Sequence, residues 1–333
     1  MGGDGVSRWN GKRVLVTGAG GFIGSHLAER LVELGAKTRA FVHYRSDGSW
    51  GWLDHSSHKE AFEVVAGDIR DQDSVLQAVR DVEVVFHLAA LIAIPYSYHA
   101  PHSFVQTNVS GTLNVLQAAR ECGIERLVHT STSEVYGTAR SVPIDEGHPL
   151  QGQSPYAASK IGADKLAESF CLSYALPVVT VRPFNTFGPR QSGRAIVPTI
   201  ITQCLTETRV RLGNLSPTRD LNYVSDIVGG FLRAAGPPEA IGRTLNLGSG
   251  RETSVAELAR LVADLVGKPL EVEPEEERVR PTQSEVERLA ADSTAARALL
   301  GWEPSVSLEE GLKITIEWIR DHLDVYRPGV YVL

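Results

Sequence analysis

Short apolar runs alternate with amphipathic segments through the first half of the chain. The runs are rich in β-branched residues and predict strands at 13–17, 38–43, 62–66, 82–88, 126–130 and 178–182. Apolar positions at helical spacing predict helices between them, at 23–34, 74–79, 103–121 and 156–174. Strands that alternate with helices are typical of β-α-β units. The pattern therefore predicts an α/β fold with a doubly wound parallel sheet.

The composition narrows the classes of function that the chain can have. With 333 residues, 42% of them hydrophobic and 22% charged, the composition is that of an ordinary globular protein. A net charge of −7 argues against nucleic acid or an anionic membrane as the main partner. Cys122, Cys171 and Cys204 form no disulfide or metal-binding pattern, which favours free thiols in a reducing compartment. Because there is also no signal-peptide pattern and no stretch that could span a bilayer, we expect a cytoplasmic protein, and we assign no metal site.

A strand, a glycine turn and a helix start follow one another at residues 14–24, in the sequence VLVTGAGGFIG. Gly18, Gly21 and Gly24 permit a tight turn, close approach of the backbone to a pyrophosphate, and close packing of helix on strand. The first helical turn, which starts at Phe22 and Ile23, offers N–H groups to phosphate oxygens. The pattern predicts a dinucleotide cofactor in a Rossmann-type fold.

The end of the second predicted strand bears on the choice between NAD and NADP. An acidic residue there would bind the ribose 2′-hydroxyl of NAD. The chain instead has His43, Arg45 and Ser46, with no carboxylate before Asp47. Arg45 and Ser46 could hold a 2′-phosphate, so we expect NAD(P) with a preference for NADP. A solvated basic loop is the alternative.

Two residues after the third predicted strand are suited to the adenine end of such a cofactor. Asp68 could accept a hydrogen bond from the adenine amino group, and Ile69 could cover the ring face. A helix cap or a turn is the alternative role for Asp68.

The second half of the chain is less regular and predicts a second lobe. The remaining predicted elements are a strand at 244–247, helices at 255–266 and 308–322, and a mobile loop on the substrate side at 271–285. We expect a Rossmann-type NAD(P)-binding domain over residues 9–183, to which residues 221–266 return. Residues 184–220 and 267–333 would form a smaller, partly interleaved C-terminal substrate-binding lobe.

A phenol, an amine and a hydroxyl form a candidate catalytic group. Tyr156 and Lys160 are one helical turn apart, and Thr132 follows the preceding predicted strand. A phenol is a weak base at its ordinary pKa near ~10. We expect the Lys160 ammonium to lower that pKa and to hydrogen-bond the nicotinamide ribose. Such a Tyr-x-x-x-Lys pair is common by chance, but Thr132 strengthens the prediction because open parallel sheets bind ligands beyond the carboxyl ends of their strands.

A carboxylate at Glu134 narrows the reaction further, because an enzyme that only transfers a hydride has no use for it. Side chains two apart on a strand share a face. Thr132 and Glu134 are therefore expected to face the same substrate, provided that the strand stays extended that far. The alternative is an exposed carboxylate at a strand end.

Together these motifs resemble those of extended short-chain dehydrogenases that act on nucleotide sugars, over nearly the whole chain. The strings concerned are TGAGGFIGSH at 17–26, HLAA at 87–90, the Tyr156/Lys160 pair and RPFN at 182–185. TSEVYG at 132–137 is similar to the segment of GDP-mannose 4,6-dehydratases and UDP-glucuronate decarboxylases. WGWL at 50–53, the run at 89–98 and SPTRD at 216–220 resemble 4,6-dehydratases of nucleotide-linked N-acetylglucosamine from legionaminic-acid-type pathways.

The resemblance implies the conversion of an NDP-hexose, most simply UDP- or GDP-N-acetylglucosamine, to its 4-keto-6-deoxy form. Tyr156, with Thr132 and Lys160, would oxidise C4; Glu134 would remove the C5 proton; water would leave from C6, and hydride would return there. The dTDP-glucose 4,6-dehydratases have an aspartate where this chain has Ser133. Serine is not an acid, so we expect Glu134 to pass its proton to the leaving water. The catalytic set is Thr132, Ser133, Glu134, Tyr156 and Lys160.

The resemblance also implies contacts outside the catalytic set. The implied cofactor contacts, besides those above and the catalytic Tyr156 and Lys160, are Leu88, Ala89, Ala90 and Pro183. The implied substrate contacts are Tyr96, Asn185, Arg194, Arg219 and Arg280. Surface salt bridges are the alternative for the arginines, and loop ordering is the alternative for Tyr96. A homodimer is expected through the helices at 103–121 and 156–174.

Three other functions stay open on the sequence. A UDP-glucuronate decarboxylase would share the C4 oxidation and would need a cation near the sugar carboxylate, for which Arg278 and Arg280 are candidates. A 4-epimerase would have no evident use for Glu134. A non-catalytic nucleotide-sensing protein on the same fold would not need Tyr156 and Lys160.

Overall fold

The computed structural model describes residues 8–269, 271–275, 278 and 281–326. In chain order its strands are β1 (Arg13–Thr17), β2 (Lys37–His43), β3 (Glu63–Gly67), β4 (Val84–His87), β5 (Arg126–Thr130), β6 (Val178–Pro183), β7 (Thr186–Phe187), β8 (Val210–Leu212), β9 (Thr218–Arg219), β10 (Asn222–Tyr223), β11 (Thr244–Leu247), β12 (Thr253–Ser254) and β13 (Val272–Pro274). Its α-helices are α1 (Phe22–Glu33), α2 (Gln72–Val79), α3 (Ile94–His99), α4 (Pro101–Phe104), α5 (Gly111–Cys122), α6 (Pro155–Tyr174), α7 (Ile196–Thr206), α8 (Val224–Ala234), α9 (Val255–Val266), α10 (Thr294–Leu300) and α11 (Leu308–Asp321).

In the described residues, seven parallel strands form the main sheet in the order β3-β2-β1-β4-β5-β6-β11. Each central strand is buried on both faces. Val14 and Val16 of β1 pack into the core on one side, whereas Leu15 packs into the core on the other side. The predicted α/β, Rossmann-type doubly wound sheet is confirmed. Its strand order reverses between β1 and β4, which is where such sheets bind ligands.

The smaller C-terminal part is built from short strand pairs and helices. β7 pairs with β10, β9 with β12, and β8 with β13, outside the main sheet. The predicted loop at 271–285 is therefore partly wrong, because Val272–Pro274 is a strand held by backbone hydrogen bonding to Val210–Leu212. The domain limits given above stay a prediction. Within the described residues, no helix combines the length and apolar character needed to cross a membrane.

One long predicted helix is interrupted. In place of a continuous helix at 103–121, α4 leads into a π-helical turn over Val105–Ser110, and α5 follows. Apolar spacing alone could not reveal this turn, because one inserted residue leaves the amphipathic pattern nearly unchanged. The turn buries Asn108, which lies next to the candidate active site.

Candidate active site

The two candidate catalytic side chains lie on the first turns of α6. Ser154 accepts a hydrogen bond from the Ala157 N–H at 3.1 Å, and Pro155 occupies the first helical position, so the helix begins immediately before Tyr156. Tyr156 and Lys160 are both buried. The Lys160 Nζ donates to the Thr130 carbonyl oxygen at 2.6 Å. The helix start and the end of β5 therefore bring the amine and the phenol to one place.

Thr132 contacts the phenol, as the sequence predicted, but on a different backbone from the expected one. β5 ends at Thr130, and Ser133–Tyr136 forms a short 3-10 helix that Thr132 caps by accepting from the Glu134 N–H at 3.3 Å. The condition that the strand stays extended through residue 134 is therefore not met. The Thr132 side chain still hydrogen-bonds Tyr156, and half-buried Glu134 lies close enough for its charge to act on the phenol. Ser133 is buried beside them.

The pKa of Tyr156 is the net result of several groups. Burial raises it most, the Thr132 hydrogen bond lowers it, the charges of Glu134 and Asp164 raise it, and the charge of Arg194 lowers it. Arg194 is a nearby cation whose charge favours the phenolate, and the expected effect of Lys160 on the phenol stays a prediction. The sequence had treated Arg194 only as a substrate contact, because a loop residue 38 positions away carries no spacing signal.

The pKa of Lys160 lies near neutral pH. Burial lowers its pKa to about 8, and the charge of Asp164 opposes that lowering. A lysine with such a pKa can be protonated or neutral near neutral pH, depending on small changes around it. That property suits a residue which exchanges or holds a proton beside a reacting hydroxyl.

An aromatic series extends from the phenol toward the surface. The Tyr156 ring packs edge-on against Phe104 with ring centroids 6.2 Å apart, and Phe104 packs against Tyr96 at 6.1 Å. Phe104 is fully buried, whereas Tyr96 is exposed. The predicted substrate contact Tyr96 therefore lies at the outer end of a wall that leads to the phenol.

The glycine loop is packed so closely that larger residues would not fit. A Cβ at Gly24 would lie 2.2 Å from the Gly18 carbonyl oxygen, and a Cβ at Gly18 would lie 2.8 Å from the Ala89 nitrogen. Gly18 has φ +73°, and its carbonyl accepts from the Gly21 N–H at 3.0 Å. The helix α1 begins at Phe22 and Ile23, directly after Gly21, which is the last residue of the glycine turn. The chain thus has the tight turn and open helix N-terminus that a pyrophosphate needs.

The end of β4 is joined to this loop by Thr17. Its hydroxyl accepts from the Leu88 and Ala89 N–H groups at 3.1 and 3.2 Å. Leu88, Ala89 and Ala90 are half-buried at the same edge of the sheet. The predicted cofactor contacts from β1 and β4 are therefore adjacent.

The predicted 2′-phosphate site is occupied by a carboxylate of the chain itself. Arg45 donates to both oxygens of Asp47, at 3.2 and 2.7 Å, and Ser46 is exposed beside this pair. The exposed Asp47 carboxylate accepts hydrogen bonds from the Ser49 N–H and from Arg45, and these bonds lower its pKa. His43 is exposed at the end of β2. Arg45 and Ser46 as ligands of a 2′-phosphate stay a prediction, with Arg45 paired to Asp47 in this structure.

Asp68 and Ile69 lie at the end of β3 but have other contacts. Asp68 accepts from the Arg70 side chain and backbone, and its carboxylate lies 4.0 Å from the His43 ring. It does not cap α2, because Asp71 accepts the capping bond from the Ser74 N–H. Ile69 is buried against the Gly111 position of α5.

The substrate candidates are spread around the cleft. Pro183 ends β6, and the Oδ1 atom of Asn185, two residues later, is buried without a hydrogen-bond partner among the described residues. Arg219 is buried and forms an ion pair with Glu285 at 3.2 Å. Arg280 lies outside the described residues, so its predicted role stays a prediction. Arg278, the other candidate for a sugar carboxylate, is hydrogen-bonded to Glu275.

The sequence analysis missed two groups of buried polar residues behind the phenol and the amine. Asn108 donates to Ser159 Oγ and to the Leu91 carbonyl, each at 2.9 Å, and accepts from the Leu91 N–H. The second group surrounds Asp164, one turn after Lys160. An acidic residue four positions after the lysine was the available signal for the second group.

The chain is similar in sequence to known proteins that act on nucleotide sugars. The family model described as GDP-mannose 4,6 dehydratase matches residues 15–315. The UDP-glucose 4-epimerase of Mycolicibacterium smegmatis is 38% identical over 93% of this chain and 99% of its own length. UDP-glucuronic acid decarboxylase 1 of Xenopus tropicalis is 33% identical over 98% of this chain and 76% of its own length.

A solved structure extends the likeness to three dimensions. The dTDP-glucose 4,6-dehydratase of Streptomyces venezuelae, solved with NAD bound, has a TM-score of 0.85 at 30% identity and covers 95% of this chain and 99% of its own. Epimerases, decarboxylases and dehydratases are thus all similar to this protein over nearly its full length. The chain belongs to the nucleotide-sugar epimerase and dehydratase family of the extended short-chain dehydrogenases.

Proposed function

We propose that the protein is a nucleotide-sugar 4,6-dehydratase. The observation that carries the proposal is the carboxylate of Glu134 next to the Tyr156 phenol, half-buried and electrostatically coupled to it. Oxidation at C4 requires only the phenol and its partners. Elimination across C5 and C6 also requires a base at C5, and Glu134 is the carboxylate that acts on the phenol from the 3-10 helix.

The chain's own residues account for the proton transfers. Tyr156 takes the proton from the C4 hydroxyl, assisted by the Thr132 hydrogen bond that lowers its pKa. Gly18, Gly21 and Gly24, with the start of α1, would hold a nicotinamide cofactor, which would supply the hydride acceptor for C4 and the hydride donor for C6. The C4 ketone acidifies the C5 proton, which Glu134 removes. Glu134 then passes that proton to the departing C6 hydroxyl, so that water leaves. As hydride returns to C6, C5 takes up one proton in place of the one that Tyr156 removed from the C4 hydroxyl, so that no net oxidation occurs.

We also propose NAD rather than NADP as the cofactor. The expected preference for NADP has no support from the relatives, one of which was solved with NAD. Asp47 holds Arg45 and would repel a 2′-phosphate. We expect calorimetry to give a lower Kd for NAD, and Asp47→Asn to narrow the difference. Tighter binding of NADP by the unaltered protein would overturn this choice.

For the substrate we propose a nucleoside diphosphate hexose, with Arg219 and Asn185 at the diphosphate and Tyr96 at the sugar. The buried Asn185 Oδ1 has no hydrogen-bond partner among the described residues, and the buried Arg219 guanidinium, now paired with Glu285, is of the type that binds phosphate oxygens. N-acetylglucosamine as the sugar and the homodimer rest on resemblance alone, whereas the proposed cytoplasmic location rests on the cysteine pattern.

A UDP-glucuronate decarboxylase is the second candidate, and one observation favours it. Arg194 lies close enough to Tyr156 for its charge to favour the phenolate, so a cation is available near the sugar. A sugar carboxylate at C5 would be a natural partner for that guanidinium. A 4-epimerase needs neither Arg194 nor Glu134 for its chemistry.

Product analysis separates these functions. The purified protein is incubated with UDP- and GDP-N-acetylglucosamine, dTDP-glucose and UDP-glucuronate, and products are identified by mass spectrometry. A 4-keto product lighter by one water supports the dehydratase, and loss of carbon dioxide from UDP-glucuronate supports the decarboxylase. An epimer of unchanged mass, or no turnover of any of the four, would overturn the proposal.

A variant tests the role of Glu134. Glu134→Gln should stop dehydration while the nucleotide sugar still reduces the cofactor, so reduced nicotinamide accumulates. Glu168→Gln, on the exposed side of α6, is the matched control and should leave turnover unchanged. Full dehydration by the Glu134→Gln protein would contradict the assignment.

A further inference from the structure

A buried carboxylate lies behind the catalytic pair. Asp164 is one helical turn beyond Lys160 on α6 and is almost fully buried. It accepts hydrogen bonds from His129 Nε2 at 3.1 Å, from Ser131 Oγ at 2.7 Å and from Arg182 Nη2 at 3.0 Å. A buried carboxylate with so many partners is costly to form and strongly directs its surroundings.

The contacts of Asp164 interleave with those of the catalytic residues along the end of β5. The side chains at 129 and 131 bind Asp164, as the two-residue repeat of a strand allows. The residues between and after them bind the catalytic pair: the Thr130 carbonyl accepts from Lys160, and Thr132 hydrogen-bonds Tyr156. One strand end is therefore tied to one helix face at four successive residues.

We propose that Asp164 is a positioning residue for C4 oxidation: it holds the end of β5 against α6 and keeps a negative charge beside the Lys160 ammonium. The proposal rests on C4 oxidation by Tyr156 and Lys160, a step that the proposed dehydratase shares with the alternative decarboxylase and epimerase. It therefore stands or falls separately from the identity of the product.

The charges around this pair support a specific effect on Lys160. Besides Asp164, the titratable and charged groups that face Lys160 and Asp164 are Tyr156 on α6, His87 on β4, His129 on β5 and Arg182 on β6, with Tyr136 behind Arg182. Burial lowers the pKa of both histidines, which favours their neutral forms. Asp164 is the anion that opposes the effect of burial on Lys160.

The state of Asp164 itself follows from the same contacts. Burial works against its ionised form, but the His129 hydrogen bond and the charges of Arg182 and Lys160 hold the pKa of Asp164 at about 2. An ionised carboxylate only accepts hydrogen bonds, so His129 Nε2 is the donor. Asp164 is therefore anionic throughout the range in which Lys160 titrates.

The test measures the titration of Lys160 directly. Isotope-labelled lysine in the full-length protein, as purified with its cofactor, gives an NMR signal that Lys160→Met assigns. We expect Asp164→Asn to move the titration midpoint of Lys160 down by about one pH unit. Glu168→Gln, one turn further along the same helix and paired with Lys165, should leave the midpoint unchanged. A midpoint in Asp164→Asn equal to that of the unaltered protein would overturn the proposal.

Asp164→Asn leaves Arg182 as a buried charge without its partner, and the single variant can therefore fail to fold. A second variant provides for that case. The double change Asp164→Asn with Arg182→Met removes both charges together and should fold. Loss of the Arg182 cation acts in the opposite direction, so we expect a smaller fall in the Lys160 midpoint than in Asp164→Asn alone. The matched reference is Arg182→Met with Asp164 intact, and a midpoint in the double variant equal to that of Arg182→Met would refute a role for Asp164.

A kinetic measurement tests whether Asp164 holds the end of β5 in position. Ser131→Ala removes one tether of the β5 end without burying a charge. With whichever of the four nucleotide sugars reduces the cofactor, we expect single-turnover reduction to slow by about five- to tenfold, as for loss of one hydrogen bond. KM should stay the same, since no substrate contact changes. An unchanged rate would contradict the tether.

Discussion

The Thr132 hydroxyl hydrogen-bonds the Tyr156 phenol, so a residue two positions beyond the end of β5 lowers the pKa of a phenol at the start of α6. Thr132→Val keeps the shape of the side chain but removes that bond. A hydrogen bond to a developing anion contributes about 1.5–3 kcal/mol, so we expect C4 oxidation to slow by roughly 10- to 100-fold. Stopped-flow absorbance of reduced nicotinamide measures the rate.

Thr206→Val, at the exposed end of α7, is the control for this substitution and should react at the unaltered rate. The position of the rate profile along the pH axis adds a second check. Without the Thr132 bond the phenolate forms less readily, so the ascending limb of the rate should move to higher pH. A rate and a profile equal to those of the unaltered protein would mean that the bond plays no part in catalysis.

Substitution of Gly24 should abolish cofactor binding. A Cβ there would lie 2.2 Å from the Gly18 carbonyl oxygen, so Gly24→Ala must push α1 away from the loop or distort the turn. Gly229→Ala in α8 is a matched control, because a Cβ at that position meets nothing within 4 Å. It should be neutral or stabilise the protein by up to about 1 kcal/mol. Cofactor content after purification, and Tm, distinguish the two; normal cofactor content in Gly24→Ala would contradict the packing argument.

Arg219 should provide affinity for the diphosphate. Arg219→Met removes a buried guanidinium that can form charge-assisted hydrogen bonds, which are worth about 1.5–3 kcal/mol. We expect the Kd for UDP, GDP or dTDP to rise by roughly 10- to 100-fold in calorimetry, with cofactor affinity unchanged. Arg209→Met, an exposed arginine paired with Glu271, should bind normally. Equal affinities in the two variants would remove Arg219 from the substrate site.

The buried lysine should make stability depend on alkaline pH. The pKa of Lys160 is lowered by burial from 10.5 to about 8, so between these values the unfolded chain binds more protons than the folded chain. Stability due to this group therefore rises with pH across that window, by up to about 3 kcal/mol. Urea unfolding of the protein and of Lys160→Met at a series of pH values isolates the effect, because other groups cancel. Parallel curves would contradict the assigned burial.

The buried aspartate gives a pH dependence of stability with the same sign, but at acid pH. The pKa of Asp164 is lowered from 3.8 to about 2, so its stabilising effect is complete above the upper value and is lost as pH falls through the lower one. Asp164→Asn should lower the free energy of unfolding at neutral pH by about 3–5 kcal/mol, since it leaves Arg182 unpaired. The variant should also lose part of the acid dependence. Urea titrations at neutral and acid pH measure both.

The sheet and its helices could be read from the sequence because each has its own periodicity, two residues in a strand and nearly four in a helix. The glycine turn and the Tyr156/Lys160 pair were accessible for the same reason, since their spacing lies within one local element. The exact backbone at residue 134 was not, because a 3-10 turn and a continued strand place similar residues in similar order. The π-helical turn at Val105–Ser110 escaped detection in the same way.

Local sequence therefore determined the α/β order of elements, the cofactor loop and the catalytic pair, since these depend on residues within a few positions of one another. Only the tertiary structure decided which charges surround that pair. The charge of Arg194 acts on Tyr156. Asp164 accepts hydrogen bonds from residues at β5 and β6, and Asp47 accepts one from Arg45. Electrostatic effects depend on the distance between groups in space and on their burial, and the amino-acid sequence specifies these quantities only through the folded structure.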